Sequence, residues 1–193
     1  MKPIGPLMVE HRLIERMIAL LGQELTRIRD NVAIDPEFAF VDPVFLDMAV
    51  DFIRVYADRC HHGKEEGILF AELARKELSP EHRRLMEELI ADHVQGRELT
   101  GKLVRAKENY LLNYDGALED FLQQLSSLVE FYPRHIEKED QHFFFPCLEY
   151  LSPAEQEEML RKMYEFDQKL IHEKYTQVVE RIEQGKLCKT CKH

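Results

Sequence analysis

Apolar residues recur at spacings of three and four along five stretches of the chain, separated by short breaks rich in Pro, Gly, Asn and Ser. Leu7, His11, Ile14, Ile18, Leu21, Leu25 and Ile28 form one stripe, which predicts a first helix starting at Pro6 and closing near residue 30. Residues 30–43, with Asp35-Pro36 and Asp42-Pro43, read as a connection pinned by Phe38 and Phe40. A second long helix spans about 44–76. The third begins at Ser79-Pro80, with serine as N-cap, and lays Met86, Leu89, His93, Gly96, Thr100 and Leu103 on one face. Gly96 leaves either free volume beside His93 or room for a close helix contact. After a turn at Asn113-Tyr114-Asp115-Gly116, a fourth helix from about Ala117 carries Phe121, Leu125, Leu128, Tyr132, His135 and Glu139. Pro133 is expected to bend it or to remove one backbone bond. Ser152-Pro153-Ala154-Glu155 matches a capping box and opens a fifth helix, roughly 153–184, stopped by Gly185.

Composition agrees with a helical protein: 45% hydrophobic, 32% charged, with 8 Gly and 8 Pro among 193 residues. That length suits one substantial core. A net charge of −10 supplies no basic surface, which excludes a nucleic-acid partner and an anionic membrane. No apolar run approaches the roughly 18–20 residues that span a bilayer, and Met1–Pro6 lacks the apolar core of a signal peptide. Four cysteines make no secreted disulfide framework, so a reducing cytoplasm is expected.

The reactive side chains sit on the helical stripes. His61 and Glu65 are four apart, as are His62 and Glu66, and residues at that spacing stand above one another. His135 and Glu139 repeat the spacing, and an apolar run follows each copy, Ile68-Leu69-Phe70 and Phe143-Phe144-Phe145. With His11 and His93, each of four helices brings one histidine to mid-length. A buried imidazole left unsatisfied costs about 2 kcal/mol or more, so one shared metal site accounts for the four better than four separate core histidines. Four imidazoles and two carboxylates suit a pair of iron or manganese ions with carboxylate bridges. The stripe through Phe52, Val55, Leu69 and Leu73 turns His62 and Glu66 inward, which leaves the register of the second helix open. His82 reads as solvated and His172 as structural. Cys60 and Cys147 read as buried, inert thiols. Cys188 and Cys191 have no second pair to complete a Cys₄ zinc site, which favours redox exchange.

Four segments together resemble the metal-binding segments of hemerythrin-like, HHE-type cation-binding domains: Glu10-His11-Arg12, His61-His62-Gly63-Lys64-Glu65-Glu66, Asp92-His93-x-x-Gly96-Arg97 and His135-Ile136-Glu137-Lys138-Glu139-Asp140. The resemblance covers roughly residues 5–150. It implies an all-α fold, an up-down four-helix bundle over 1–150, to which the chain's own pattern adds a C-terminal helix at 151–185 and a Cys-x-x-Cys tail at 186–193. It also implies a non-haem, oxo- or hydroxo-bridged di-iron centre, with Mn or Zn as substitutes. The ligands carried over are His11, His61, Glu65, His93, His135 and Glu139, with both glutamates bridging. In that family the second-segment histidine stands ten residues before the end of the apolar run, here Ala71, which selects His61 and Glu65 over His62 and Glu66. Pro146 lies eleven residues after His135, so a one-residue bulge after Glu139 is expected, with Asp140 as the alternative ligand. Oxygen-carrying hemerythrins have a fifth histidine where Arg97 stands here. The expectation therefore moves from reversible oxygen carriage toward reduction or sensing of O₂, nitric oxide or peroxide. Iron handling or iron–sulfur repair, with a redox protein as donor, follows from the same resemblance. A di-iron sensor or iron-storage module controlling a protein partner is the alternative.

Overall fold

A computed structural model describes residues 2–35 and 39–183, with side chains as far as residue 170. Every regular element among them is helical. α1 is Ile4–Ile34, α2 covers 43–73 as successive α and π segments, α3 is Pro80–Leu111, α4 covers 117–147 and α5 is Pro153–Glu183. No described helix is long and apolar enough to cross a membrane.

α1 starts before Pro6, with Pro3 as its N-cap. Pro6 is third in the helix, where a missing N–H is harmless because the first four have no intrahelical partner. α1 also outruns its predicted end, narrowing the connection to 35–42. Ala39 and Val41 anchor that connection by burial, and Tyr110 donates to the Ala39 carbonyl. Phe40, expected to pin it, is instead 63% exposed under the Arg27 guanidinium. Phe38, Gly185 and the 186–193 tail with Cys188 and Cys191 lie outside the described residues, as does the His172 side chain. Asp42 caps α2 by accepting from the Val44 and Phe45 N–H groups, and Ser79 caps α3 by accepting from His82 N–H at 3.2 Å. The capping box of α5 forms in both directions, Ser152 N–H to Glu155 at 2.8 Å and Glu155 N–H to Ser152 Oγ at 3.3 Å. Pro133 lies on an exposed face, and α4 runs through it. His82 is half-buried, not solvated, because its Nδ1 reaches the Tyr150 hydroxyl at 2.8 Å.

Two apolar clusters fill the bundle, one at each end. The first includes Ile14–Ile28 of α1, Leu46–Ala57 of α2, Leu99–Ala106 of α3 and Phe121–Ile136 of α4. The second takes Ile4 and Leu7 from α1, Leu69–Leu73 from α2, Met86 and Leu89 from α3, and Phe143–Leu148 from α4. Each helix therefore runs between the clusters in the direction opposite to its predecessor, an up-down-up-down bundle. α5 packs outside it, adding Met159 and Met163 to the second cluster. Gly63 of α2 is needed for that docking: a Cβ there would stand 2.9 Å from the Phe166 ring.

Candidate metal centre

Between the two clusters lies a polar layer closed to water. It holds Glu10 and His11 of α1, His61, His62, Lys64 and Glu65 of α2, His93 of α3, and His135 and Glu139 of α4. One stripe of buried α2 residues is Ile53, Ala57, His61, Glu65, Leu69 and Leu73, one every fourth position. At about 3.6 residues per turn such a stripe would wind round the helix. The π segments Ile53–His62 and Glu65–Phe70 hold more residues per turn and keep it facing the bundle. A stripe through Phe52 and Val55 could not anticipate that unwinding: both are half-buried, and Glu66 sits at the margin while Glu65 is fully buried. α4 behaves alike. His135, Glu139, Phe143 and Cys147 face inward across the π segment Lys138–Phe143, which absorbs the residue that offsets Pro146.

The Nε2 atoms of His11, His61, His93 and His135 and both oxygens of Glu65 and Glu139 are buried without a hydrogen bond. Their distances sort them into two sets. Glu65 Oε1 is 3.3 Å from His61 Nε2, and its Oε2 is 3.3 Å from His93 Nε2. Glu139 Oε2 is 3.1 Å from His11 Nε2, and its Oε1 is 3.4 Å from His135 and 3.6 Å from His93. Each glutamate turns one oxygen toward His11 and His61 and the other toward His93 and His135. Asp140 turns away from the layer, toward His11 Nδ1 and Arg12.

The outer nitrogens have partners. His11 Nδ1 meets Asp140 at 2.8 Å, His61 Nδ1 meets Glu10 at 2.9 Å, His93 Nδ1 meets Glu66 at 2.7 Å and His135 Nδ1 meets Asp92 at 3.4 Å. The pairing runs round the bundle, each histidine leaning on an acid of the preceding helix and α1 leaning on α4. A cation holds each acid in turn: Arg12 on Asp140, Lys64 on Glu10, Arg97 on Glu66 and Lys138 on Asp92. The sequence offered Asp140 and Glu66 only as alternative ligands and gave Glu10 and Asp92 no role of their own, although all four leave a trace. An acid precedes His11 and His93, an acid follows Glu65 and Glu139, and a lysine stands three residues after His61 and His135. Arg97 reaches Glu66 and Asp58, each at 2.7 Å.

An ionised carboxylate only accepts, so each Nδ1 carries a hydrogen and each Nε2 is left facing inward, open to a metal ion or a second proton. Four nitrogens then confront four carboxylate oxygens, an arrangement that needs protons or metal cations between them. Metal bonds of about 2.0–2.2 Å separate neighbouring donors by roughly 3–3.5 Å, so these residues fit two cations. The sequence model of the hemerythrin HHE cation binding domain matches residues 2–147. The chain belongs to that family. No curated protein and no solved structure gives a significant match.

An HHE domain binds cations, and here protons compete for the same atoms. Burial alone would lower the His61 imidazole, but the Glu65 charge and the Glu10 hydrogen bond raise it to about 10. His93 is likewise lowered by burial yet lifted to about 11 by Glu139, Glu65 and Glu66. Raised above neutrality, both hold protons at pH 7, and a cation must displace them. Cation uptake should therefore release protons, and affinity should climb with pH toward those values. An indicator dye in weakly buffered protein titrated with Mn(II) reads this directly; uptake without proton release would mean that these imidazoles take no part.

Proposed function

We propose that this HHE protein is a non-haem di-iron protein that binds a small oxidant, O₂, nitric oxide or peroxide, and reduces it when an electron donor is present. One observation carries the reading: eight buried donor atoms without hydrogen bonds, divided four and four by two glutamates. His11, His61, Glu65 Oε1 and Glu139 Oε2 would hold one ion, and His93, His135, Glu65 Oε2 and Glu139 Oε1 the other. Iron supplies one-electron redox changes and the coordination positions that four protein donors per ion leave open. The chain's own share is to fix each imidazole in one tautomer and to exclude water with the two apolar clusters. Mn or Zn would take the same donors.

Iron content and a visible spectrum on protein purified without added metal test this. About two irons per chain, with near-ultraviolet bands that move with azide or peroxide, are expected. A folded protein that cannot be loaded with ferrous iron overturns the reading. Glu139→Ala should hold well under the wild-type metal ratio, and full retention would count against the bridging role. A specific contact favours the second reading, a sensor or iron-storage module. Lys64 joins Glu10, and through it His61, to Asp167 of α5 at 2.7 Å, so the layer is tied to the outer helix. Peroxide turnover under a reductant separates the two: an enzyme cycles, and a sensor changes conformation.

A further inference from the structure

Large apolar side chains gather in the open at the end of the bundle beyond the first cluster, where α1 and α3 finish and α2 and α4 begin. Phe40 of the connection, Val44 and Met48 of α2, and Leu112 and Tyr114 at the close of α3 are each 60–66% exposed. Two contacts bring their elements together: Lys107 pairs with Asp47, and Tyr110 donates to the Ala39 carbonyl. A single exposed apolar residue needs no explanation, but a group of them marks a surface that something covers. The rim is acidic. Over residues 105–120 the acids Glu108, Asp115, Glu119 and Asp120 stand against Arg105 and Lys107, and Lys107 is already taken by Asp47.

α5 points at this end. It runs antiparallel to α2: Met159 and Met163 share the second cluster with Leu69 and Leu73, Phe166 lies at Gly63, and Asp167 lies at Lys64 and Cys60. From Asp167 to Glu183 the helix rises about 24 Å. From Cys60 back to Val44 spans as many residues, so a helix kept to this direction stops level with the start of α2. The chain continues from there as Gln184-Gly185-Lys186-Leu187-Cys188-Lys189-Thr190-Cys191-Lys192-His193. Ten residues reach at most about 33–36 Å, enough to cross two neighbouring helices of about 10–12 Å each. The stretch carries three lysines, no acid and the apolar Leu187, so its charge is opposite to that of the rim. Being tethered, it needs little affinity, since a short linker gives an effective concentration on the order of mM. We propose that the apolar end of the bundle is a docking surface for the chain's own segment 184–193, with Leu187 against the apolar side chains and the lysines against the acids of the α3–α4 turn. Docked there, Cys188 and Cys191 are held about 20–25 Å from the metal layer, the rise of α2 from Val44 to His61. Their thiol chemistry is then separate from that of the metals.

Trypsin cleavage after Lys186 and Lys189 tests this on the full chain in reductant, with product masses assigning the cuts. An acetylated synthetic peptide of residues 182–193 is the undocked standard. Wild-type protein should be cut at these bonds about tenfold more slowly than the peptide, because cleavage follows the undocked fraction. Met48→Gln/Leu112→Gln should bring the rate to within about twofold of the peptide. Both side chains are exposed, so the fold is kept, and an unchanged melting temperature verifies it. Asp115→Asn/Glu119→Gln leaves the apolar group intact and should lose several-fold protection, as should wild type in about 0.5 M salt. Wild-type cleavage at the peptide's rate overturns the proposal, and so does protection that neither double variant lowers. A dimer on gel filtration that Met48→Gln/Leu112→Gln splits, with the segment cut equally fast in both, gives the surface to a second copy and overturns it too. Each outcome is read without reference to metal uptake.

Discussion

His61→Ala is expected to strip the metal layer to below about half the wild-type metal content, while His62→Ala leaves it filled. Removing even the groups that orient a ligand costs about 10–100-fold in metal affinity, and removing a ligand costs more. His61 holds its Nε2 beside Glu65 and its Nδ1 on Glu10, so its loss deletes one of two nitrogen donors on that ion. It also leaves Glu65, fully buried, facing an empty space on one side. His62 has neither relation. Metal per chain after gel filtration decides the matter, and a larger loss from His62→Ala than from His61→Ala would reverse the assignment of α2.

Two adjacent histidines differ this much because of backbone geometry that composition does not announce. The stripes of α1 and α3 keep α-helical spacing, and there every residue the pattern placed inward is buried, including His11 and His93, while Ile4, Glu10, Leu99 and Ala106 join them unannounced. α2 and α4 carry their ligand candidates on a spacing of four, which an α-helix cannot hold on one side over six positions. Only the π segments reconcile that spacing with a straight bundle, and π geometry has no reliable residue signature. The Pro146 offset was the single trace of it. The connection failed for another reason: Phe40 is large and apolar, yet smaller Ala39 and Val41 lie on the inward side of an extended segment. Side-chain size predicted burial less well than position did.

The acids around the histidines were readable as a repeat but not as contacts. His-x-x-Lys-Glu followed by an acid occurs at 61–66 and at 135–140, and an acid-His pair occurs at 10–11 and at 92–93. Read as halves, α1–α2 and α3–α4 carry the same parts. What the repeat cannot give is that each acid serves the histidine of the next helix, since that depends on the bundle being closed. Departures from the repeat then mark where the halves differ. The buried His62 stands opposite Ile136, while Lys64 is buried against α5 and its counterpart Lys138 is 36% exposed.

That last difference carries a large expected effect on stability. Lys64→Met should destabilise the metal-free protein by about 3–5 kcal/mol, the cost of removing one partner from a buried ion pair. Lys138→Met should cost under about 1 kcal/mol, because water can replace a half-exposed ammonium. Lys64 is closed to solvent and donates to both Glu10 and Asp167, the latter at 2.7 Å. Burial works against its charge, yet Asp167 and Glu10 more than offset this and hold it charged. Without it, the Glu10 carboxylate stays buried with His61 as its remaining partner, and Asp167 keeps only the Cys60 thiol on α2. In a chain of this size about 1 kcal/mol moves Tm by roughly 2–4 °C, so the first variant should melt near 10 °C lower and the second within a few degrees of wild type. Equal, small losses from both lysine variants would show that Lys64 is reached by water and that α5 is not held to the metal layer through it. Metal titration of the same variants extends the point: with Glu10 no longer held by Lys64, the acid orients His61 less firmly, and metal affinity should fall about 10–100-fold in Lys64→Met.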